Sequence, residues 1–323
     1  MAKGQTDLPT RLLGSTDMHI TPVGHGAWAL GGGGWVYAWG PQDDSESVAA
    51  IHHSMDLGIN WIDTAAGYGL GHAEEVIGKA LKGVSNRPYI FTKCSLTWND
   101  RGEIIDSLKR ESIRKECEDS LRRLQIDAID LYQIHWPRPD EDIEEGVAAL
   151  AELQKEGKVR WIGLSNFSVE QMKRAGAVAT INTLQPPYSL IRHETQNELL
   201  PYCEENNIGV IVYSPMYSGL LAGKMTPERI ANMPEDDWRQ NDPQFQKPKL
   251  KKNLELVEVL KAIGKEHGVE PGVVAIAWTL RKSAVTAAIV GMRRPSQVDG
   301  IIPAVDFRLS DEEISKLDSM ISD

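Results

Sequence analysis

Four polar side chains of different chemistry lie at or just beyond the ends of short apolar runs. They are a carboxylate, a phenol, an amine and an imidazole, carried by Asp63, Tyr68, Lys93 and His135. In a parallel α/β barrel the buried strands are apolar throughout, and catalytic groups project from the carboxyl ends of several different strands. The four groups are therefore predicted to meet in one pocket.

The phenol is the group with the most specific requirement. A free tyrosine has a pKa of roughly 10, so it acts as an acid near neutral pH only when its phenolate is stabilised. Lys93 is placed to supply a cation, and Asp63 to keep that cation charged and oriented. With His135 donating to a substrate oxygen, the set can protonate a carbonyl as a hydride reaches its carbon, or run the reverse reaction on an alcohol.

Eight short apolar runs alternate with helical patterns, which is typical of βα units around a parallel sheet. The predicted strands lie near Pro22 to Trp28, Trp61 to Asp63, Ile90 to Lys93, Leu131 to His135, Val159 to Leu164, Thr183 to Gln185, Val210 to Tyr213 and Ala287 to Val290. An open doubly wound sheet has the same alternation, but no glycine pair here completes the GxGxxG motif that such a sheet carries. A (β/α)8 TIM barrel is therefore favoured.

The helical patterns and their interruptions also give expectations. The clearest helix spans Ser107 to Leu124, with an apolar face at spacings of three and four and the charges on its other faces. Ser168 and Ser310 are expected to cap two further helices. Two segments break the rhythm and are predicted to be loops, the glycine and aromatic stretch Leu30 to Asp44 and the polar stretch Met216 to Lys252.

Composition limits the classes of partner. The length of 323 residues suits one barrel domain over residues 1–323, and the formal net charge of -11 argues against nucleic acid or an anionic membrane. No stretch is apolar for long enough to span a bilayer and the amino terminus lacks a secretory pattern, so a cytoplasmic location is expected. Three widely spaced cysteines without a CxxC pair indicate reduced thiols rather than a disulfide or zinc framework, and no metal site is predicted.

Five segments in register carry a family resemblance over almost the whole chain. They are Trp61–Gly69, Phe91–Lys93, Tyr132–Trp136, Gly163–Phe167 and Tyr213–Pro215. Together they resemble the aldo-keto reductase superfamily, in particular its bacterial NADP-dependent members. The resemblance implies a (β/α)8 barrel with an N-terminal β-hairpin cap and extra C-terminal helices. It also implies a nicotinamide cofactor, and Tyr68 as proton donor or acceptor supported by Asp63, Lys93 and His135.

The resemblance extends to the cofactor site. It implies that Ser165, Asn166 and Gln185 hold the nicotinamide carboxamide and that Tyr213 stacks on the ring. The other predicted cofactor residues are Trp28, Ser214, Met216, Ser218, Gly219, Leu220, Gly291, Arg293, Arg294 and Gln297. The two arginines stand where the chain enters a helix, which suits a ribose phosphate and predicts NADP, with NADPH preferred over NADH. Ile301 stands where the family commonly has an adenine-binding Asn, so the adenine contacts are open.

Trp35, Tyr37 and Trp136 are predicted to line a substrate pocket, with ordinary loop packing as the alternative. Aromatic walls suit a polar carbonyl, sugar or polyol, so the expected partner is a small carbonyl or alcohol; the oligomeric state is open.

Other interpretations of the same residues are open as well. Asp63 and Lys93 can form a purely structural ion pair, and Arg293 and Arg294 can be solvated charges. The chain can be an NADPH-binding regulatory subunit resembling potassium-channel β subunits, with little turnover. A third hypothesis is a metal-dependent barrel hydrolase, but the sequence has no cluster of His ligands to support it.

Overall fold

The computed structural model describes residues 8–235 and 237–321, so the predictions made for residues 1–7, 236, 322 and 323 lie outside the described residues. Short extended segments recur along the described chain. In chain order they are β1 Arg11–Leu12, β2 His19–Ile20, β3 Val23–Gly26, β4 Trp61–Asp63, β5 Tyr89–Cys94, β6 Leu96–Trp98, β7 Ile104–Asp106, β8 Ile129–Ile134, β9 Val159–Ser165, β10 Thr183–Gln185, β11 Gly209–Val212 and β12 Val285–Gly291.

Eight of these strands close into a parallel barrel. The order around it is β3-β4-β5-β8-β9-β10-β11-β12, and β12 pairs with β3 to complete the ring. The register brings the ends of neighbouring strands level, as where Gly26 lies beside Asp63. The predicted TIM barrel is confirmed, and the open doubly wound sheet is wrong.

Helices follow the barrel strands and pack outside them. They are α1 Asp44–Asp56, α2 His72–Leu81, α3 Arg110–Leu124, α4 Ile143–Lys155, α5 Val169–Gly176, α6 Leu199–Glu205, α7 Pro227–Ala231, α8 Lys249–His267, α9 Pro271–Leu280, α10 Pro295–Ile301 and α11 Asp311–Ile321. Ser168 caps α5 through a reciprocal capping box with Gln171, as predicted. Ser310 and Glu313 bond reciprocally in the same way at the start of α11.

The amino-terminal end of the barrel is closed by the hairpin of β1 and β2, which confirms the predicted cap. Leu13, Met18 and Ile20 are fully buried and pack against Trp61 and Phe91 inside the barrel. Apolar side chains thus fill this end, and the carboxyl ends of the strands are left for the polar groups.

Helix α3 differs from its prediction in two ways. It begins at Arg110 because residues 104–106 form β7, which pairs with β6 in a small antiparallel hairpin. Glu116 is only 6% exposed and lies on the inner face with Ile113 and Cys117. The expectation that every charge of this helix lies on its other faces is therefore wrong.

The predicted loop over Met216 to Lys252 is partly ordered into short helices. It contains α7, the first residues of α8, and 3-10 turns at Leu220–Ala222, Trp238–Asn241 and Pro243–Phe245. Four of its apolar side chains form a small core of their own, Leu220, Met225, Phe245 and Leu250. This small core explains why the backbone of so polar a segment is ordered.

Candidate active site

The four polar residues singled out from the sequence lie together at the carboxyl end of the barrel. Lys93 Nζ donates to Asp63 Oδ1 at 2.6 Å and to the carbonyl oxygen of Thr64 at 2.8 Å. The same nitrogen lies 3.4 Å from the hydroxyl of Tyr68. Asp63 and Lys93 are 2% and 1% exposed, so this ion pair is inside the protein.

The second oxygen of Asp63 is held by amides. Gln185 Nε2 donates to Asp63 Oδ2 at 2.8 Å, and Gln133 Nε2 lies 3.4 Å from the same oxygen. Gln185 was expected to meet a nicotinamide carboxamide, but here its amide nitrogen is bonded to Asp63 and lies 3.2 Å from Gln133 Oε1. Sequence reasoning missed Gln133, whose place in the apolar run of β8 is its one visible signal.

Burial controls the acid–base properties of the set. It raises the pKa of Tyr68 well above the ordinary value, and the negative charge of Asp63 adds to this. Burial also lowers the pKa of Lys93, although Asp63 opposes the change. The sequence predicts that the Lys93 ammonium stabilises the Tyr68 phenolate, and in this pocket the loss of hydration and the charge of Asp63 favour the protonated phenol.

His135 completes the cluster. Its ring meets the Tyr68 ring edge to face, with centroids 5.7 Å apart and planes at 78°. Burial lowers the pKa of His135 well below its usual range, and the charges of Lys93 and Arg138 act in the same direction. The imidazole is therefore neutral at neutral pH, with one N–H to donate.

Three further predicted residues meet beside the tetrad. Asn166 has a left-handed backbone, with φ at 64°, and its amide nitrogen donates to the carbonyl oxygen of His135 at 2.9 Å. Tyr213 donates from its hydroxyl to Asn166 Oδ1 at 2.8 Å, and Ser165 Oγ donates to the carbonyl oxygen of Gln185 at 2.9 Å. Hydroxyl and amide groups from β9 and from the end of β11 therefore line one side of the pocket.

The chain after β11 has an uncommon backbone. Ser214, Tyr217, Ser218 and Gly219 all have positive φ, between 43° and 86°. Left-handed non-glycine residues cost roughly 1–3 kcal/mol each and concentrate at ligand clamps. A Cβ added at Gly219 would meet nothing within 4 Å, so this backbone has an open side. Leu220 differs from its neighbours, since its side chain is fully buried in the small core.

A cationic cluster lies at the other end of the site. Arg293 Nη2 donates to the carbonyl oxygen of Pro41 at 2.6 Å, and Gln297 Oε1 accepts from the Arg293 amide at 2.7 Å. Burial lowers the pKa of Arg293, and so do the nearby charges of Arg294 and Arg239. Arg294 is exposed and precedes α10, and Gly291 is exposed at the end of β12.

Ile301, by contrast, is buried. It is 9% exposed and belongs to the main core, where Gly272 lies beneath its side chain. At this position the chain supplies packing rather than a polar group.

Aromatic rings cover the tetrad. Trp28 lies between Tyr68 and Trp238, with ring centroids 6.2 Å and 5.8 Å away and planes inclined by 20° and 12°. Trp35 is 6.4 Å from the Tyr68 ring and 6.0 Å from the half-exposed Tyr37. These three predicted residues are therefore at the mouth of the pocket.

Trp136 contacts a cation, whereas Trp28 and Trp35 contact other aromatic rings. It follows His135 and carries the guanidinium of Arg138 4.8 Å above its ring. Trp136 is partly buried. Its ring and the Arg138 guanidinium therefore form a cation–π pair on this side of the site.

Two residues of the covering segment were missed from the sequence. Trp238 stacks on Trp28, and Arg239 lies 4.6 Å above the ring of Trp39. Arg239 also donates to Asp237 and lies 3.3 Å from the carbonyl oxygen of Ser218. The sequence does contain an indication of these two residues, a Trp-Arg pair inside an acidic, proline-containing segment. A tryptophan in such a polar segment is expected to pack against the protein rather than to face solvent.

Within residues 8–235 and 237–321, no helix is long and apolar enough to cross a membrane. In the same part of the chain, no group of three or more His, Cys, Asp or Glu side chains is arranged to hold a metal ion.

A closed barrel with polar groups at its carboxyl end is the layout of an α/β barrel enzyme, and comparison with known proteins gives the family. Residues 22–322 match the Aldo/keto reductase family, and the chain belongs to it. It is 38% identical to the aldo-keto reductase YhdN of Bacillus subtilis over 312 residues, which cover 96% of this chain and 92% of that protein.

Two further similarities concern proteins whose names include a substrate. The NADH-specific methylglyoxal reductase of Escherichia coli is 34% identical, over 95% of this chain and 97% of that protein. The structure of the glycerol dehydrogenase AKR11B4 from Gluconobacter oxydans superposes with a TM-score of 0.87 at 39% identity, covering 97% of this chain and 95% of that one. The chain is thus an aldo-keto reductase family oxidoreductase, a class that uses nicotinamide cofactors and small carbonyl substrates.

Proposed function

We propose that this chain is an NADP(H)-dependent oxidoreductase that interconverts an aldehyde or ketone and its alcohol, with Tyr68 as general acid and base. One observation carries the proposal. The Lys93 ammonium is buried, bonded to Asp63 at 2.6 Å and only 3.4 Å from the Tyr68 hydroxyl. A buried cation beside a phenol stabilises a phenolate that forms only in passing.

The residues present fit a nicotinamide dinucleotide by their chemistry. Ser165, Asn166 and Tyr213 would hold the nicotinamide end with hydroxyl, amide and aromatic groups, and Gln185 would offer its amide oxygen, since its amide nitrogen is bonded to Asp63. The segment from Ser214 to Gly219, with four left-handed residues, is open at Gly219 and would suit a diphosphate, and Arg239, Arg293 and Arg294 offer positive charge near it. When bound, this cofactor supplies or accepts a hydride.

The chain's own groups move the proton. Because the pKa of Tyr68 is raised, the phenol holds its proton at neutral pH and donates it to a carbonyl oxygen. Lys93 then compensates the charge left on the phenolate, and Asp63 keeps Lys93 in place. The neutral His135 donates its N–H to the same carbonyl oxygen and so fixes the orientation of the substrate. In the oxidative direction the proton returns from the alcohol to Tyr68.

The substrate we propose is a small, polar carbonyl compound or polyol. The pocket mouth combines flat aromatic faces at Trp28 and Trp35 with the Arg138 guanidinium above Trp136. Aromatic faces and a few polar groups suit compact molecules rich in oxygen. Methylglyoxal and glycerol, named for two similar proteins, are the natural compounds to test first.

The preference for NADP is part of the proposal and rests on the arginines. Arg294 is exposed at the start of α10, where a guanidinium can pair with a ribose phosphate. Arg293 contributes less freely, because it is bonded to Pro41 and lies close to Gln42. Since one similar protein is NADH-specific, both cofactors have to be assayed.

The decisive measurement follows NADPH oxidation with methylglyoxal and small hydroxyaldehydes, and NADP reduction with glycerol. We expect Tyr68→Phe to lower kcat by about 10²–10⁴-fold, the usual contribution of a general acid, with cofactor binding retained. Tyr202→Phe, which alters a tyrosine on α6 outside the barrel, is the matched control and should stay close to the wild type. Equal rates for wild type and Tyr68→Phe would refute the role of Tyr68. Tight binding without turnover by the wild type would favour the regulatory-subunit alternative.

A further inference from the structure

Gln133 on β8 is a fully buried amide that the proposed proton transfer does not use. In the barrel register it lies beside Lys93 of β5 and beside Gly163 of β9. Side chains alternate between the two faces of a strand, and paired neighbours share a face, so Gln133 points into the barrel as Lys93 does. An amide in this position needs hydrogen-bond partners, because an unpaired buried polar group is costly.

Gly163 leaves the space that the Gln133 side chain occupies. A Cβ at position 163 would lie 2.8 Å from Gln133 Cγ and 2.3 Å from Thr183 Oγ1 on the next strand, β10. Atoms in a close-packed interior do not approach so closely, so a side chain at position 163 would displace both neighbours. The missing side chain on β9 therefore lets the amide of Gln133 reach the polar groups of the tetrad.

Three side chains form a closed set of hydrogen bonds inside the barrel. Gln185 Nε2 donates to Asp63 Oδ2 at 2.8 Å and to Gln133 Oε1 at 3.2 Å. Gln133 Nε2 lies 3.4 Å from the same oxygen of Asp63. A carboxylate only accepts hydrogen bonds, so both amides must present their nitrogen to Asp63. An amide nitrogen has two N–H groups, and both of those on Gln185 are therefore engaged.

The two bonds from Gln185 Nε2 determine where its oxygen points. The amide group is planar, so two directed bonds from the nitrogen fix the plane and, with it, the direction of Oε1. With the bond to Asp63 alone, the amide can turn, since the last torsion of a glutamine side chain is broad. The intact set offers the pocket an acceptor from Gln185 and no donor. An acceptor fixed in this way suits the NH2 group of a carboxamide.

We propose that Gln133 is a positioning residue of the cofactor site: by accepting the second N–H of Gln185, it directs the Gln185 oxygen towards the NH2 group of the nicotinamide carboxamide. The inference rests on the proposed function in taking the nicotinamide to lie beside Ser165, Asn166 and Gln185. Gln133 itself is placed one layer deeper and touches Gln185 and Asp63. Its effect is therefore expected on how the cofactor binds, which can be measured without turnover.

The test measures the affinity of the wild type and of Gln133→Met for two ligands, by quenching of tryptophan emission. The ligands are NADP and its acetylpyridine analogue, in which a methyl group replaces the carboxamide nitrogen. Methionine is similar in length to glutamine and offers no strong hydrogen bond. We expect the wild type to bind NADP about tenfold more tightly than the analogue, because the analogue leaves the Gln185 oxygen unpaired. In Gln133→Met this preference should fall below about threefold, since the Gln185 oxygen is no longer held in place.

Two controls separate this effect from a general disturbance of the fold. Gln154→Met removes an amide on α4, outside the barrel, that donates to the carbonyl oxygen of Arg160 at 2.8 Å, and it should keep the wild-type preference. Phospho-ADP-ribose, which is NADP without its nicotinamide, should bind the wild type and Gln133→Met with affinities within about twofold. A purely structural role of Gln133 would weaken the binding of all three ligands alike. That result, or an unchanged preference for NADP in Gln133→Met, would overturn the proposal.

The proposal is testable even where Gln133→Met does not fold. Gln133→Leu removes the same hydrogen bonds with a different shape and should show the same reduced preference. The wild type alone is also informative, because equal affinities for NADP and the analogue would contradict a fixed acceptor at Gln185. The same ratio measured with NAD and its acetylpyridine analogue makes the result independent of the NADP preference.

Binding and turnover together distinguish the two proposals. If the preference depends on Gln133 and the wild type shows no turnover, the proposed function fails and the positioning role of Gln133 stands. If turnover is present and the preference does not depend on Gln133, the positioning role fails alone.

Discussion

Lys93 and Asp63 form a buried ion pair, and the two residues differ in the other hydrogen bonds that they make. Asp63 has a second set of partners, since its Oδ2 accepts from Gln185 at 2.8 Å. Lys93 has Asp63 and one carbonyl oxygen, that of Thr64. Removing one member of a buried pair is costly because the other charge is left uncompensated. Loss of the Asp63 charge should therefore harm the fold more than loss of the Lys93 charge.

This inequality gives a prediction for a mutant cycle. Asp63→Asn should lower the free energy of unfolding by about 3–5 kcal/mol, because the Lys93 ammonium remains buried beside a neutral amide. Adding Lys93→Met should recover about 1–3 kcal/mol, since the asparagine oxygen can still accept from Gln185. Urea unfolding of the single and double variants measures both changes. We expect both to be inactive, which separates stability from catalysis. Strictly additive losses would show that the two charges do not depend on each other.

At the scale of single residues, the sequence predicts which groups meet and not how they bond. Asp63, Tyr68, Lys93 and His135 lie together as expected, because each stands at the end of an apolar strand and barrel geometry brings those ends to one face. The bond from Gln185 to Asp63 and the raised pKa of Tyr68 were not predictable. Both depend on distances of a few ångströms and on the depth of burial, which residue order does not contain.

At the scale of elements, strand β3 and helix α1 are joined by a buried histidine. His25 Nδ1 lies 2.8 Å from Ser54 Oγ, and that hydroxyl donates to the carbonyl oxygen of Ala50, so Nδ1 must carry the proton that His25 donates. Nε2 is buried and has no hydrogen-bond partner among the described residues. Burial lowers the pKa of His25 from 6.5 to about 4. The ring is therefore neutral at neutral pH, since a proton on Nε2 would be buried without an acceptor.

This contact predicts a dependence of stability on pH. A depressed pKa in the folded state means that the stability is complete above pH 6.5 and is lost as the pH falls to about 4. The shift corresponds to about 3 kcal/mol. His25→Asn, which keeps a donor near Nδ1 and cannot protonate, should show a shallower loss of stability over this range by a similar amount.

Urea unfolding at several pH values between these limits tests the prediction. His19→Asn changes an exposed histidine and should retain the wild-type slope. Parallel pH profiles for His25→Asn and the wild type would rule out His25 as the titrating group.

The elements themselves were predictable to different degrees. The barrel strands were recognisable because strands buried on both faces are continuous apolar runs, and the core strand at Thr183–Gln185 was placed to the residue. The segment from Met216 to Lys252 was not, because its order comes from 3-10 turns of three or four residues and from four apolar side chains spread over 31 positions, from Leu220 to Leu250. Glu116 was misplaced for a related reason, since helical periodicity assigns charged residues to the outside.

At the scale of the whole molecule, the charge near the proposed cofactor site is opposite in sign to the net charge of the chain. The chain carries a formal net charge of -11, yet Arg239 and Arg294 lie close enough to Arg293 for their charges to lower its pKa. A dinucleotide phosphate is itself anionic, so the field of the rest of the protein disfavours its approach and the local cluster must attract it. Binding should therefore depend on a few named cations rather than on the overall surface.

The cluster leads to a prediction about ligand-linked stability. A ligand that binds only the folded chain stabilises it by RT ln(1 + [L]/Kd), about 2.7 kcal/mol at a hundred times Kd. At equal concentrations NADPH should raise Tm more than NADH, since a tenfold difference in Kd is worth about 1.4 kcal/mol.

Arg294→Ala should reduce the NADPH-induced Tm shift towards the NADH value. It should leave the free energy of unfolding of the ligand-free protein within about 0.5 kcal/mol of the wild type, because Arg294 is exposed. Arg122→Ala, an exposed arginine on α3, is the control and should keep the full shift. Equal Tm shifts with the two cofactors in the wild type would refute the NADP preference while leaving the proposed role of the tetrad intact, since Arg294 is not one of the four residues assigned to proton transfer.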